Sequence, residues 1–234
     1  MRRLVEVLLL TLAVVGCAHS PQGSKHKLRY LALGDSYTIG EGADPRDRWP
    51  SQLAARLRER GFDVASPTII AKTGWTTDEL QEGIAERQHQ LGTYALVTLL
   101  IGVNNQYRGR ETDEYRHQFV SLLDQAIGFA GGDGHRVIVL SIPDWGVTPY
   151  AEHRDRARIA SEIDRFNAVN REEAQNAGAR YVDVTAISRT HGSDPAYLMG
   201  DGLHPSGRAY AEWADAALPE AEAALRTHEE KASP

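Results

Sequence analysis

Two runs in the middle of the chain, Leu96-Val97-Thr98-Leu99-Leu100-Ile101 and Val137-Ile138-Val139-Leu140, are apolar almost throughout. A strand with one wet face alternates apolar and polar residues. A continuous apolar run of this length suits a central parallel strand covered on both faces. These runs lie within strand-like segments at Tyr94–Ile101 and Arg136–Ile142, and three more are read at Leu28–Leu33, Asp63–Ala71 and Ala179–Val184. Helical patterns separate them, so the chain is predicted to be α/β. Right-handed crossovers then make it a three-layer α/β/α sandwich. No repeat or second boundary interrupts residues 28–234, which read as one domain.

The helices are read from their stripes. Trp49, Leu53 and Leu57 mark one; Phe119, Leu122, Leu123, Ala126 and Ile127 mark a second; Ile159, Ile163 and Phe166 begin a third. Thr77, Asp78 and Leu80 signal a further helix start, and a last helix is expected from about Ser206 to Leu218, where Pro219 interrupts it. Three connections, Gly102–Thr112, Pro143–Arg154 and Ile187–Leu203, are longer than such links need, and each follows the carboxyl end of a strand. Long loops in compact domains are commonly functional.

Charge and the amino terminus narrow the function. A net charge of −6 with no basic block after residue 3 gives nucleic-acid binding no footing. Arg2 and Arg3 precede an apolar stretch from Leu4 to Val15, broken by Glu6 and Thr11, and Gly16-Cys17 closes it. That layout is a secretory signal, too short for a spanning helix. With Cys17, the only cysteine, at the cut, it resembles a bacterial lipoprotein signal. The resemblance implies removal of residues 1–16, lipidation of Cys17 and export to the cell envelope. Residues 17–27 then form a polar tether, and Ala18 after the cysteine resembles lipoproteins sent to an outer membrane. An ordinary signal peptide with a chance cysteine is the plainer reading.

The chemistry-bearing residues sit where the strands end. Gly34-Asp35-Ser36 follows the first strand, and in an open α/β sheet ligands bind beyond the carboxyl ends of the strands. Ser36 alone reads as a helix cap or as a nucleophile. Asp201-Gly202-Leu203-His204 offers an imidazole with an acceptor three residues before it, the arrangement a serine needs for activation. Asp201 as a turn cap beside a surface His204 is the bland alternative. Gly102-Val103-Asn104-Asn105 ends the third strand, and Gly74 follows the second. The Asn104 side chain and the Gly74 and Ser36 amides are candidate donors for a developing oxyanion, or else ordinary loop residues.

Taken together, Gly34-Asp35-Ser36, Gly74, Gly102-Val103-Asn104 and Asp201-x-x-His204 resemble the SGNH (GDSL-type) hydrolases, four blocks in family order across most of the domain. The resemblance implies a flavodoxin-like five-stranded parallel sheet in the order 2-1-3-4-5. It implies Ser36 as nucleophile and His204 as base supported by Asp201. It further implies an oxyanion hole of Ser36 N–H, Gly74 N–H and the Asn104 side chain, with no cofactor and no metal. One departure stands out: Asn105 occupies a place where the family commonly carries aspartate, so altered loop hydrogen bonding with intact chemistry is expected.

Rival motifs are absent. No Gly-x-Ser-x-Gly elbow surrounds Ser36, the glycines form no dinucleotide or phosphate loop, and the histidines and cysteine lack zinc spacing. The expected activity is a serine esterase acting on a small-molecule, lipid or glycan ester, either a lysophospholipase or a short-chain or carbohydrate esterase. An acyltransferase with the same triad and a catalytically silent envelope-binding lipoprotein are the readings from other classes. Trp75, Tyr107 and Trp145 are candidates to line the substrate site, or aromatics that pack the loops. Arg108 and Arg110 read as contacts for an anionic head group or as solvated side chains.

Overall fold

The computed structural model describes residues 27–232; the expected signal segment, Cys17 and nearly all of the tether lie outside the described residues. Five parallel strands form one sheet in the order β2-β1-β3-β4-β5. They are β1 (Tyr30–Gly34), β2 (Thr68–Ala71), β3 (Leu96–Leu100), β4 (Val137–Leu140) and β5 (Arg180–Val182). All three central strands are buried along their whole length, as their unbroken apolar runs require. Each strand lies within or beside its expected segment but is shorter. In β2 the reason is Pro67, which has no N–H to give the ladder, so pairing begins at Thr68. Before it only an isolated Leu28–Val64 bridge is made.

The strand order dictates where the helices go. The step from β1 to β2 runs one way along the sheet and every later step runs the other. Right-handed crossovers therefore place α2 (Trp49–Glu59) on one face and α3 (Thr77–Arg87), α5 (Thr112–Phe129) and α6 (Arg156–Asn176) on the other. Trp49, Leu53 and Leu57 of α2 are fully buried, and so are Leu122 and Ala126 of α5. A capping box of Thr76 and Glu79 opens α3. The long α8 (Gly207–Ala232) follows β5 and packs against α2.

Two expectations are corrected. Pro219 does not end the last helix, which runs on to Ala232. Ala217, Ala221, Ala224 and Leu225 are fully buried on both sides of the proline, and that packing outweighs the single backbone bond it deletes. The same helix starts at Gly207, one residue after the expected Ser206, and His204 lies in the loop before it. Two expected loops also hold structure: α4 (Val103–Tyr107) fills half of one, and α7 (Thr185–His191) takes the start of another.

The turn after β1 is the tightest part of the fold. A Cβ on Gly34 would lie 2.2 Å from Thr38 Oγ1 and 2.4 Å from the Leu100 carbonyl oxygen, so only glycine lets α1 (Ser36–Ile39) sit against the end of β3. Asp35 caps α1, its Oδ1 accepting from the Tyr37 N–H at 3.0 Å. Its Oδ2 is buried with no partner among the described residues. Burial pushes the Asp35 carboxyl up to about 7, against the weaker pull of the Tyr37 amide. The folded chain thus holds a proton that the unfolded chain has lost, and stability falls as pH rises from the ordinary carboxyl range near 4 to about 7. Asp35→Asn keeps the cap and cannot ionise. Its melting temperature, followed by circular dichroism from pH 4 to 8.5, is expected to gain on that of the wild type through this window and level off above it. A pH-independent difference would show that Asp35 does not titrate there.

Candidate active site

Ser36 is the first residue of α1 and is almost fully buried, with one side open to a cleft of about 150 Å³. Its amide belongs to the first turn of a helix, where no backbone acceptor is within reach. Gly74, in the turn after β2, has φ +86°, and a Cβ there would meet only Arg108 Nη2 at 3.9 Å. Backbone conformation, rather than room, therefore calls for glycine. The Gly74 N–H has no acceptor among the described residues. Its carbonyl accepts from Arg108 Nη2 at 2.7 Å, and Asn104 Nδ2 donates to the next carbonyl, that of Trp75, at 2.9 Å. Residues 74 and 75 are thus held by α4 and its C-cap, and Asn104 keeps a second N–H for the cleft it lines.

Asn105 points the other way. Fully buried, it accepts from the Thr77 N–H at 3.1 Å and donates to Thr77 Oγ1 at 2.7 Å, joining the loop after β3 to the first turn of α3. An aspartate could only accept, so the amide supplies a donor that the family's usual residue lacks. Arg108 and Arg110 are both paired within the fold, the first with Glu79 and the second with Asp78 and Glu114, an engagement that neither reading of these side chains included.

The fourth contribution comes from the loop before α8. His204 Nδ1 lies 2.6 Å from Asp201 Oδ2, and Asp201 Oδ1 accepts from the backbone N–H of Leu203 (2.9 Å) and of His204 (3.0 Å). Burial works to raise the Asp201 carboxyl, yet these three bonds outweigh it and hold the group below the usual carboxylate range. The loop is fixed by a Leu198–Pro205 bridge and by the Met199 N–H donating to the His204 carbonyl at 2.7 Å. His204 is nearly buried beside Tyr37, ring centres 5.8 Å apart. Among the described residues no hydrogen bond joins Ser36 Oγ to the imidazole. Such bonds commonly close only when substrate enters.

Ser36, Gly74, Asn104 and His204 therefore line one cleft, each delivered by a different connection. Tyr107 and Trp145 line it too. Trp75 is not among its lining residues: the indole packs on Gly83 of α3, where a Cβ would stand 2.1 Å from the ring. Tyr150 completes the cleft and was not singled out in the sequence, although it falls in the long Pro143–Arg154 loop. A larger hollow of about 470 Å³ between α6 and α7 contains none of these residues.

Comparisons with known proteins bear on the fold and the family. The sequence model of the GDSL-like Lipase/Acylhydrolase family matches residues 32–212. No curated relative matches the chain. Among solved structures, TesA is 21% identical with a TM-score of 0.66, covering 84% of this chain and 99% of its own. The lipase Lip_vut3 from a goat rumen metagenome is 19% identical with a TM-score of 0.66, covering 83% and 97%. The acetylxylan esterase Axe2 from Geobacillus stearothermophilus is 21% identical with a TM-score of 0.62, covering 83% and 94%. At these identities the likeness establishes the fold. The match to the family along most of the domain establishes the rest: this chain belongs to the GDSL-like lipase/acylhydrolase family and is a serine hydrolase acting on ester bonds.

Proposed function

We propose that the chain hydrolyses carboxylic esters through an acyl-enzyme on Ser36, with His204 as the general base and Asp201 as its acceptor. The supporting observation is the convergence of Ser36, Gly74, Asn104 and His204 on one cleft, with Asp201 2.6 Å from His204 Nδ1. That bond leaves Nε2 as the nitrogen free to take the Ser36 proton. As Ser36 attacks, the carbonyl oxygen gains charge, and the Ser36 N–H, the Gly74 N–H and the spare Asn104 N–H are the donors offered to it. His204 then protonates the leaving alcohol, and water repeats the sequence to release the acid. Every step uses side chains and backbone already in the cleft. The substrate reading is an ester of a lipid or a glycan, with lysophospholipase and short-chain or carbohydrate esterase activity both within it.

In the same reading the enzyme is exported and carried on a lipid at Cys17. The support is the basic start, short apolar core and cysteine of the amino terminus. Radiolabelled palmitate fed to a bacterial host is expected to label the wild type and not Cys17→Ser; equal labelling of both would remove the anchor.

The mechanism is tested by turnover of p-nitrophenyl acetate together with melting temperature. Ser36→Ala and His204→Ala are expected to lose about 10⁴-fold or more, because the members act as a unit. Asn104→Ala is expected to lose about 10²- to 10³-fold in kcat while melting close to the wild type. A Ser36→Ala protein as active as the wild type would end the proposal.

A further inference from the structure

We infer that the alcohol part of the substrate is a sugar ring, seated on a rim formed by Tyr107 and Tyr150, and that the acyl part is short. This rests on the esterase mechanism proposed above and narrows its substrate.

Size limits the acyl part. Pockets that enclose a drug-sized ligand run to roughly 300–1,000 Å³. The cleft holds about 150 Å³, and the apolar space behind Tyr37, Trp145 and Leu203 adds about 30 Å³. Together they enclose a short acyl group and not the full length of a fatty chain.

The rim points to the alcohol. Tyr107 and Tyr150 are each 45% exposed, the large apolar side chains left most open to solvent among the described residues. Exposed aromatics gathered at a cleft mark a binding surface, and a tyrosine ring pairs an apolar face with a polar tip. Their hydroxyls meet at 3.2 Å, and both rings stand edge-on to Trp145, with centres 5.4 and 6.0 Å away. Trp145 is itself fixed, its Nε1–H donating to Gln106 Oε1 at 2.8 Å while Gln106 donates to Glu162 at 2.8 Å. A rigid ring pair loses little freedom on binding. It offers flat apolar faces to the C–H side of a sugar and hydroxyls to its oxygens.

The rim also stands on the correct side of the reaction. The Tyr150 N–H donates to the Gly202 carbonyl at 3.1 Å, inside the Asp201–His204 turn. One edge of the rim is therefore tied by a backbone bond to the loop that carries the group that protonates the leaving alcohol. The Arg154 guanidinium lies 5.9 Å from the Tyr107 ring centre and adds donors for sugar hydroxyls. Arg108 and Arg110, by contrast, are already paired within the fold.

The test is kcat/KM of the full-length protein on glucose pentaacetate, ethyl acetate and palmitoyl lysophosphatidylcholine, read by titration of released acid. The wild type is expected to prefer the sugar ester to both others. Tyr107→Ala and Tyr150→Ala are each expected to lower the ratio of sugar ester to ethyl acetate about tenfold, and the Phe variants, which keep the rings, by less than about threefold. A ratio unmoved by the Ala variants, or a preference for the lysophospholipid, overturns the inference. So does hydrolysis of ethyl acetate without the sugar ester, an outcome that leaves the esterase mechanism standing. Failure to cleave any of the three removes both.

Discussion

Burial of the parallel sheet on both faces is the constraint from which everything else follows. With β3 and β4 apolar along their length, each strand must be covered above and below, and only helical crossovers can do that. Crossovers return every strand to the same starting edge, so every strand delivers its carboxyl end to one rim. Ser36, Gly74 and Asn104 are each the product of one such ending, and His204 arrives from the loop that leads into α8. The site is a by-product of topology, and its residues need only be of the correct type at the first turn after each strand.

A rim of strand endings leaves many backbone groups without ladder partners, and the chain answers several of them with a buried amide or hydroxyl. Asn105 does this for α3. Asn167 does it after β4, accepting from the Ile142 N–H at 2.8 Å and donating to the Ile142 carbonyl at 3.0 Å. Ser141 and Thr185 close the same gap beside β5, where Ser141 Oγ accepts from the Val184 and Thr185 amides. These bonds hold the loops at fixed heights above the sheet. They also help residues from separate connections to line one cleft.

How much of this could be read in the residues depends on the range of the interaction. Gly34-Asp35-Ser36 and Asp201-x-x-His204 are local patterns, and the contacts they imply form within one turn. The strands were legible because apolar runs report burial directly, and their ends were blurred where a single residue decides, as Pro67 does in β2. Long-range packing was not legible. Nothing near Pro219 in sequence announces that α2 lies across from it, and nothing near Trp75 announces that Gly83 opens a slot for its indole. Tyr150 enters the cleft only because its backbone is tied to Gly202, some fifty positions on.

The grip of Arg108 on the Gly74 carbonyl carries a consequence of its own. The segment that carries the Gly74 amide is held in part from outside, by a partly exposed guanidinium balanced on Glu79, beside the Asn104 bond to the Trp75 carbonyl and the packing of the Trp75 indole on Gly83. Pairs of that kind weaken as mobile ions accumulate, while buried apolar contacts do not. Raising the ionic strength thus loosens one of the holds on the Gly74 turn while leaving the melting of the domain nearly untouched.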